Sequence, residues 1–167
     1  MLILGIDPGT ALTGYGLVCE DQPGQLEAVA YGVIDTPAKT PMPERLTLLY
    51  AELNKIIKSH PPDESAVEQL FFQKNVKTAL SVGQARGVVL LALAQAGIPI
   101  AEYKPMEIKQ AVVGYGGADK RQVQEMVRML LNLDSIPKPD DAADALAVAI
   151  CHIHNAQTQR LYDQGQE

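Results

Sequence analysis

The 167-residue chain has no tryptophan, two cysteines and two phenylalanines, the latter adjacent at Phe71 and Phe72. Cys19 and Cys151 lie far apart and share no metal-type spacing, which excludes a zinc cluster or a disulfide framework and points to a reduced, cytoplasmic chain. Long hydrophobic runs are absent too. The longest, Gly87 to Ala94, falls far short of the roughly 20 residues a membrane span needs. Asp7 interrupts the first apolar run and no basic region precedes it, so no signal peptide is expected. Basic residues are outnumbered, 14 Lys and Arg against 20 Asp and Glu, and a net charge of −6 excludes a generally basic, sequence-blind coat for nucleic acid. There is no internal repeat and no low-complexity segment. With 47% hydrophobic and 20% charged residues, the composition excludes disorder and suits one globular domain, expected over residues 1–156, with a polar, flexible tail over 157–167.

The first 36 residues read as three strands. Leu2 to Ile6 is an apolar run stopped by Asp7-Pro8-Gly9; Thr13 to Glu20 and Leu26 to Asp35 follow, separated by Asp21-Gln22-Pro23-Gly24. Such short connections predict an antiparallel meander. From Pro43 the period becomes helical, through Leu46, Leu49, Leu53 and Ile57, until His60-Pro61-Pro62. A buried strand is predicted over Ser65–Leu70, a long helix over Val76–Ala96, a strand over Ile98–Tyr103 and a short helix from Pro105 to Gly114. A further helix carries Val123, Val127 and Leu131, and the last starts near Asp141 and runs to about His154. Strands separated by long helices return in the same direction. The expected architecture is therefore α/β: a mixed five-stranded sheet, an antiparallel meander plus two parallel strands, flanked by helices.

Four carboxylates stand out. Asp7 closes the first strand, where α/β sheets commonly meet ligands, although an Asp before Pro-Gly is also ordinary turn chemistry. Glu68 sits inside Ala66-Val67-Glu68-Gln69-Leu70, where a charge is costly unless paired or bound to a cation; the bland alternative is an edge strand with Glu68 in water. Asp141 and Asp144 are three apart on the last helix and share a face, among Ala142, Ala143, Ala145 and Ala147, small enough for close approach to a sheet. Capping explains one of Asp140 and Asp141 but not Asp144. Together these four offer hard oxygen ligands of the kind Mg²⁺ or Mn²⁺ prefers. Two such ions about 4 Å apart suit phosphodiester hydrolysis.

In order along the chain stand Gly5-Ile6-Asp7-Pro8-Gly9, Thr13-Gly14-Tyr15-Gly16, Val67-Glu68-Gln69-Leu70-Phe71, Gly83-Gln84-Ala85-Arg86-Gly87, the run Val112 to Lys120, and Asp141-Ala142-Ala143-Asp144-Ala145-Leu146-Ala147. These blocks, spanning Leu2 to about His154, resemble the RuvC-type Holliday junction resolvases of the RNase H-like superfamily. The resemblance implies an RNase H-like fold and Asp7, Glu68, Asp141 and Asp144 as catalytic metal ligands, with Asp141 favoured over Asp140 by its register with Asp144. It implies an Mg²⁺-dependent homodimer, with Mn²⁺ able to substitute, that nicks opposing strands of a four-way DNA junction symmetrically in recombination and repair. It further implies a branch-migration motor of the RuvA and RuvB type as partner, and Phe71 as an aromatic that stacks on junction bases.

Lys74, Lys77, Lys109, Lys120 and Arg121 are individually ordinary surface cations, but as a set they suit phosphate contacts. Between Leu70 and Leu130 there are eight Lys and Arg against four Asp and Glu, a local +4 that leaves −10 elsewhere. His152 falls about 12 Å along the helix from Asp144, too far to share a metal, and reads as structural. The helix from Val76 to Ala96 has more apolar surface than one packing face needs, with Gly83 and Gly87 as a notch, and is the expected dimer contact. Rival readings fare worse. An actin-like ATPase needs a second phosphate loop and about twice the length. A compact RuvC-like relative of ribosomal RNA processing lacks the Glu68–Phe71 and Gly83–Gly87 blocks. A non-catalytic junction-binding module would carry four acids that repel DNA.

Overall fold

The computed structural model describes residues 1–69 and 76–164. Five strands and five helices follow one another: β1 (Leu2–Asp7), β2 (Leu12–Gln22), β3 (Gln25–Asp35), α1 (Met42–Ser59), β4 (Glu64–Glu68), α2 (Val76–Gln95), β5 (Ile100–Tyr103), α3 (Pro105–Val113), α4 (Lys120–Leu130) and α5 (Asp140–Gln164). Pro23 and Gly24 turn the chain between β2 and β3, and Gly24 adopts the left-handed φ of 82° that such a turn requires. The sheet order is β3-β2-β1-β4-β5. β1 pairs antiparallel with β2, and β2 with β3, while β1–β4 and β4–β5 are parallel. The expected meander plus two parallel strands is what forms.

Alternation along the central strands divides the core between the two faces of the sheet. Leu4, Ile6, Leu17 and Val67 point to one face and pack on α1 and α2 through Leu49, Leu53, Val89 and Leu93. Ile3, Val18 and Ala66 point to the other and pack beneath α5, α3 and α4 through Leu146, Ile150, Ile108 and Val127. Leu146, Ile150 and Ile153 are wholly buried, each contributing about 1.5–3 kcal/mol of hydrophobic stabilisation.

α5 lies unusually close to the sheet. A Cβ on Gly5 would stand 2.2 Å from the carbonyl oxygen of Ala145, and one on Gly14 would stand 2.0 Å from that of Asp141. Only glycine on the strands, facing alanines on the helix, permits this backbone-to-backbone approach.

One expectation needs correcting. α5 does not stop near His154 but continues to Gln164. Its polar extension is held by local bonds, Asn155 Nδ2 to the Cys151 carbonyl at 2.9 Å and Thr158 Oγ1 to the His154 carbonyl at 2.8 Å, while Gln157 reaches Glu20 on β2. Asp140, one of the two candidate caps, opens the helix. Its carboxylate is taken by Lys138 at 3.0 Å and Lys120 at 3.5 Å.

Candidate active site

β1 and β4 run parallel with Ile6 beside Val67, so the next residues, Asp7 and Glu68, end adjacent strands side by side. β4 is interior, flanked by β1 and β5, which removes the alternative of Glu68 on a water-facing edge. The Gly14 slot sets Asp141 directly over the strand pair, because Gly14 is the register partner of Asp7 and touches the Asp141 backbone. One helical turn on, Asp144 faces the same cleft. All four predicted acids thus meet at the carboxyl ends of β1 and β4, beneath the first turns of α5.

Their electrostatics reflect crowding. Burial, followed by the charges of Glu68, Asp144 and Asp141 and a hydrogen bond to Glu68, holds the Asp7 carboxyl well above its ordinary range. Burial also raises Glu68 and Asp144, opposed at Glu68 by its bond to Asp7 and by Lys109 and Lys120, and at Asp144 by Lys120. Such a group of like charges is stable only with protons or cations among them.

One cation is supplied by the chain. Asp119 caps α4 by accepting from the Gln122 amide at 2.9 Å, while Gln122 Oε1 accepts from the Asp119 amide at 2.9 Å. This reciprocal cap places Lys120 at the start of the helix, where its Nζ lies 3.1 Å from Asp144 Oδ2 and 3.5 Å from Asp140 Oδ2. Glu68, Asp144, Lys120 and Lys109 line a cleft of about 250 Å³, closed on its apolar side by Ile108 and Val123. Among the described residues, no three His, Cys, Asp or Glu side chains are arranged to hold a metal ion as they stand. The donor set nevertheless fits a hard divalent cation: oxygen ligands only, partly desolvated, and carrying more negative charge than Lys109 and Lys120 offset.

The other predicted contacts divide. Lys109 and Lys120 lie at the cleft, and Arg121 is exposed beside Lys120. Phe71 and Lys74 lie outside the described residues, as does the side chain of Lys77. His152 is structural: Nε2 lies 2.7 Å from Glu64 Oε2 and Nδ1 lies 2.8 Å from the Tyr103 hydroxyl, a buried tie between α5, β4 and β5. Burial pushes the Tyr103 hydroxyl up to about 12, keeping it a proton donor. Sequence reasoning missed the glycine slot and the reach of Lys120 to Asp144. Gly5 and Gly14 inside strands, set against the alanines of α5, are the signal that marks the first; nothing local marks the second.

The model of the family described as crossover junction endodeoxyribonuclease RuvC matches residues 3–152. The chain belongs to the RuvC family. The family-named crossover junction endodeoxyribonuclease of Chloroflexus aurantiacus is 64% identical over 162 residues, covering 97% of this chain and 98% of that protein. Its counterpart from Desulfitobacterium hafniense is 63% identical and covers 93% of each chain. Among solved structures, T. thermophilus RuvC in complex with a Holliday junction substrate superposes with a TM-score of 0.90 at 36% identity, covering 95% of this chain and 96% of that one. A yeast mitochondrial Holliday junction resolvase, at 15% identity and a TM-score of 0.66, shares the fold. RuvC enzymes are metal-dependent nucleases, and the acid cleft lies where the RuvC model matches this chain.

Proposed function

We propose that the chain is a crossover junction endodeoxyribonuclease that resolves four-way DNA junctions by paired, symmetric nicks in recombination and repair. Asp7, Glu68, Asp141 and Asp144 are its catalytic carboxylates and the ligands for two Mg²⁺ ions, which Mn²⁺ replaces. The observation that carries this reading is the meeting of four acids from three chain segments in one partly desolvated cleft with two lysines at its edge. Divalent cations bound there supply Lewis acidity that activates a water and offsets the charge on the departing 3′-oxygen. No side-chain nucleophile is needed. The carboxylates would have to be deprotonated to hold such cations, and Asp7, whose carboxyl is held above its ordinary range, would have to release its proton to do so. Lys120 pairs with Asp144 at the edge of the cleft, and Lys109, Lys120 and Arg121 meet DNA phosphates. The family resemblance adds Phe71, Lys74 and Lys77 as further DNA contacts.

The working enzyme is a homodimer, because symmetric nicks need two sites. Leu80, Gln84, Gly87, Leu91 and Ala94 form an exposed stripe along α2, with Leu80 67% and Leu91 51% accessible. A Cβ on Gly87 would meet nothing within 4 Å, so this notch is open to a second helix. Gly87→Trp is expected to convert dimer to monomer in light scattering while circular dichroism stays unchanged. The enzyme acts in the cytoplasm with a branch-migration motor. Among the described residues no helix is long and apolar enough to cross a membrane.

The test is incubation of the purified protein with a synthetic mobile four-way junction and Mg²⁺. Paired nicks at symmetric positions, with ligatable 5′-phosphate ends, are expected. Unpaired nicks, or none, overturn the assignment.

A further inference from the structure

The turn that follows Asp7 is gripped from three sides. Thr13 Oγ1 donates to the Gly9 carbonyl at 2.8 Å, and the Thr36 amide at the end of β3 donates to the Ala11 carbonyl at 2.9 Å. Thr10 Oγ1 donates to Ser81 Oγ on α2 at 3.0 Å, and Ser81 in turn donates to the Thr78 carbonyl. The third grip is a charge. Arg45 on α1 donates from Nη2 to the Thr10 carbonyl at 2.7 Å and from Nε to Thr36 Oγ1 at 3.2 Å, while the Thr36 hydroxyl donates to the same Thr10 carbonyl.

Two features set this arginine apart. Among the described residues it forms no ion pair although it is half-buried, whereas the other cations of α1 and α4 without one, Lys58 and Arg121, are exposed. It spends its donors on one backbone carbonyl three residues beyond a proposed catalytic carboxylate and on a threonine that is only 4% exposed. A guanidinium bonded to a carbonyl and a buried hydroxyl is a costly way to secure a surface turn, because desolvating it brings no charge in return. Its rigid fork does, however, fix two acceptors at once, which a lysine or an amide cannot reproduce.

We infer that Arg45 is a positioning residue for the reaction: it clamps the Thr10 carbonyl against Thr36 and so sets the direction in which β1 delivers the Asp7 carboxylate. The inference rests on the reading of Asp7 as a metal ligand. β1 ends at Asp7, and the four residues beyond it are not part of a strand or helix. Their path is set by the bonds just described. Loosening the clamp leaves the sheet and both cores in place and changes only where the carboxylate points.

The test uses Arg45→Gln and Arg45→Lys in the full chain, with Thr36→Val as a second route to the same clamp and Asp7→Asn as the control on the site. Three quantities are read: Mg²⁺ affinity by titration calorimetry in the absence of DNA, junction affinity in Ca²⁺, and single-turnover cleavage at saturating Mg²⁺. Arg45→Gln is expected to weaken Mg²⁺ binding and slow cleavage by about tenfold each, as outer-shell losses commonly do. Junction affinity should stay within about twofold, well under the tenfold that 1.4 kcal/mol represents. Arg45→Lys should recover part of both losses, and Thr36→Val should reproduce Arg45→Gln at reduced amplitude. If Arg45→Gln loses junction affinity while Mg²⁺ affinity holds, Arg45 is a phosphate contact and the inference fails. It fails equally if only the melting temperature falls, with Mg²⁺ affinity and cleavage unchanged. Should Arg45→Gln not fold, unchanged Mg²⁺ affinity in Thr36→Val decides against the clamp. Normal cleavage by Asp7→Asn would instead sink the site assignment itself, an outcome distinct from all of these.

Discussion

The two faces of the sheet are built on opposite rules. On the α1–α2 face, branched aliphatics of the strands meet branched aliphatics of the helices, and the only charge tying α2 to the sheet is the Arg86–Glu102 pair among the described residues. On the α5 face, glycines and alanines bring backbones into contact, and the same face ends in four acids, two lysines and a buried histidine network. Both faces are stabilised by the apolar side chains they remove from water, on the α5 side chiefly Leu146, Ile150 and Ile153. The α5 face gives up some side-chain volume so that a helix can sit low enough to set Asp141 and Asp144 over Asp7 and Glu68. Both sides carry a core, and the chemistry is confined to one of them.

The sharpest way to break this contrast is Asp7→Asn. Cleavage of a four-way junction is expected to fall by about 10³-fold or more, as losses of a principal catalytic group do. The cation-free protein should melt higher than wild type, since the substitution removes a repelling charge from a crowded site. Differential scanning calorimetry with and without Mg²⁺ checks both signs. A variant that melts lower would show Asp7 to be structural.

Next in size is a pair of glycine substitutions, one beneath α5 and one on the outer side of α2. Gly14→Ala places a methyl group 2.0 Å from the Asp141 carbonyl, and relief requires α5 to lift. Overpacking of that kind costs about 3 kcal/mol, or about 6–12 °C in melting temperature for a domain of this size. In the protomer, Gly87→Ala, where nothing of the same chain lies within 4 Å, should hold or gain up to about 1 kcal/mol from helix propensity. Equal losses at the two positions would contradict a backbone contact peculiar to α5.

The smallest expected effect is one of pH. Asp7, Glu68 and Asp144 all have folded-state proton affinities above their unfolded values. As pH rises through the ordinary carboxylate range, near pH 4, the unfolded chain gives up these protons before the folded one does, and stability is lost from there upward until the raised values are passed. Cation-free protein should therefore melt progressively lower from about pH 4 toward neutrality, and the slope should flatten in Asp7→Asn. A melting temperature that rises over that range in wild type and variant alike would contradict the crowding of the acids.

Much of this was legible in the residues. Period-two and helical spacing located every strand and helix, with Asp144 inexplicable as a cap and Glu68 too apolar in its surroundings to be idle. The end of α5 was misjudged because its last two turns are polar, and their helical bonds, with Gln157 reaching back to Glu20, involve no hydrophobic period. Asp140 and Asp141 are equal candidates for a cap by position, and only the fold brings Lys120 of α4, twenty residues earlier, to 3.5 Å from Asp140.

By itself, then, the sequence determined the order of elements, the relative direction of the strands and the identity of four candidate ligands, because periodicity and turn chemistry act over a few residues at a time. Only the tertiary structure decided how low α5 rides, which charge sits on Lys120's side of Asp144, and which guanidinium holds the turn after Asp7. Those contacts join segments from twenty to more than a hundred residues apart, and their geometry depends on the packing of the whole sheet rather than on any local pattern.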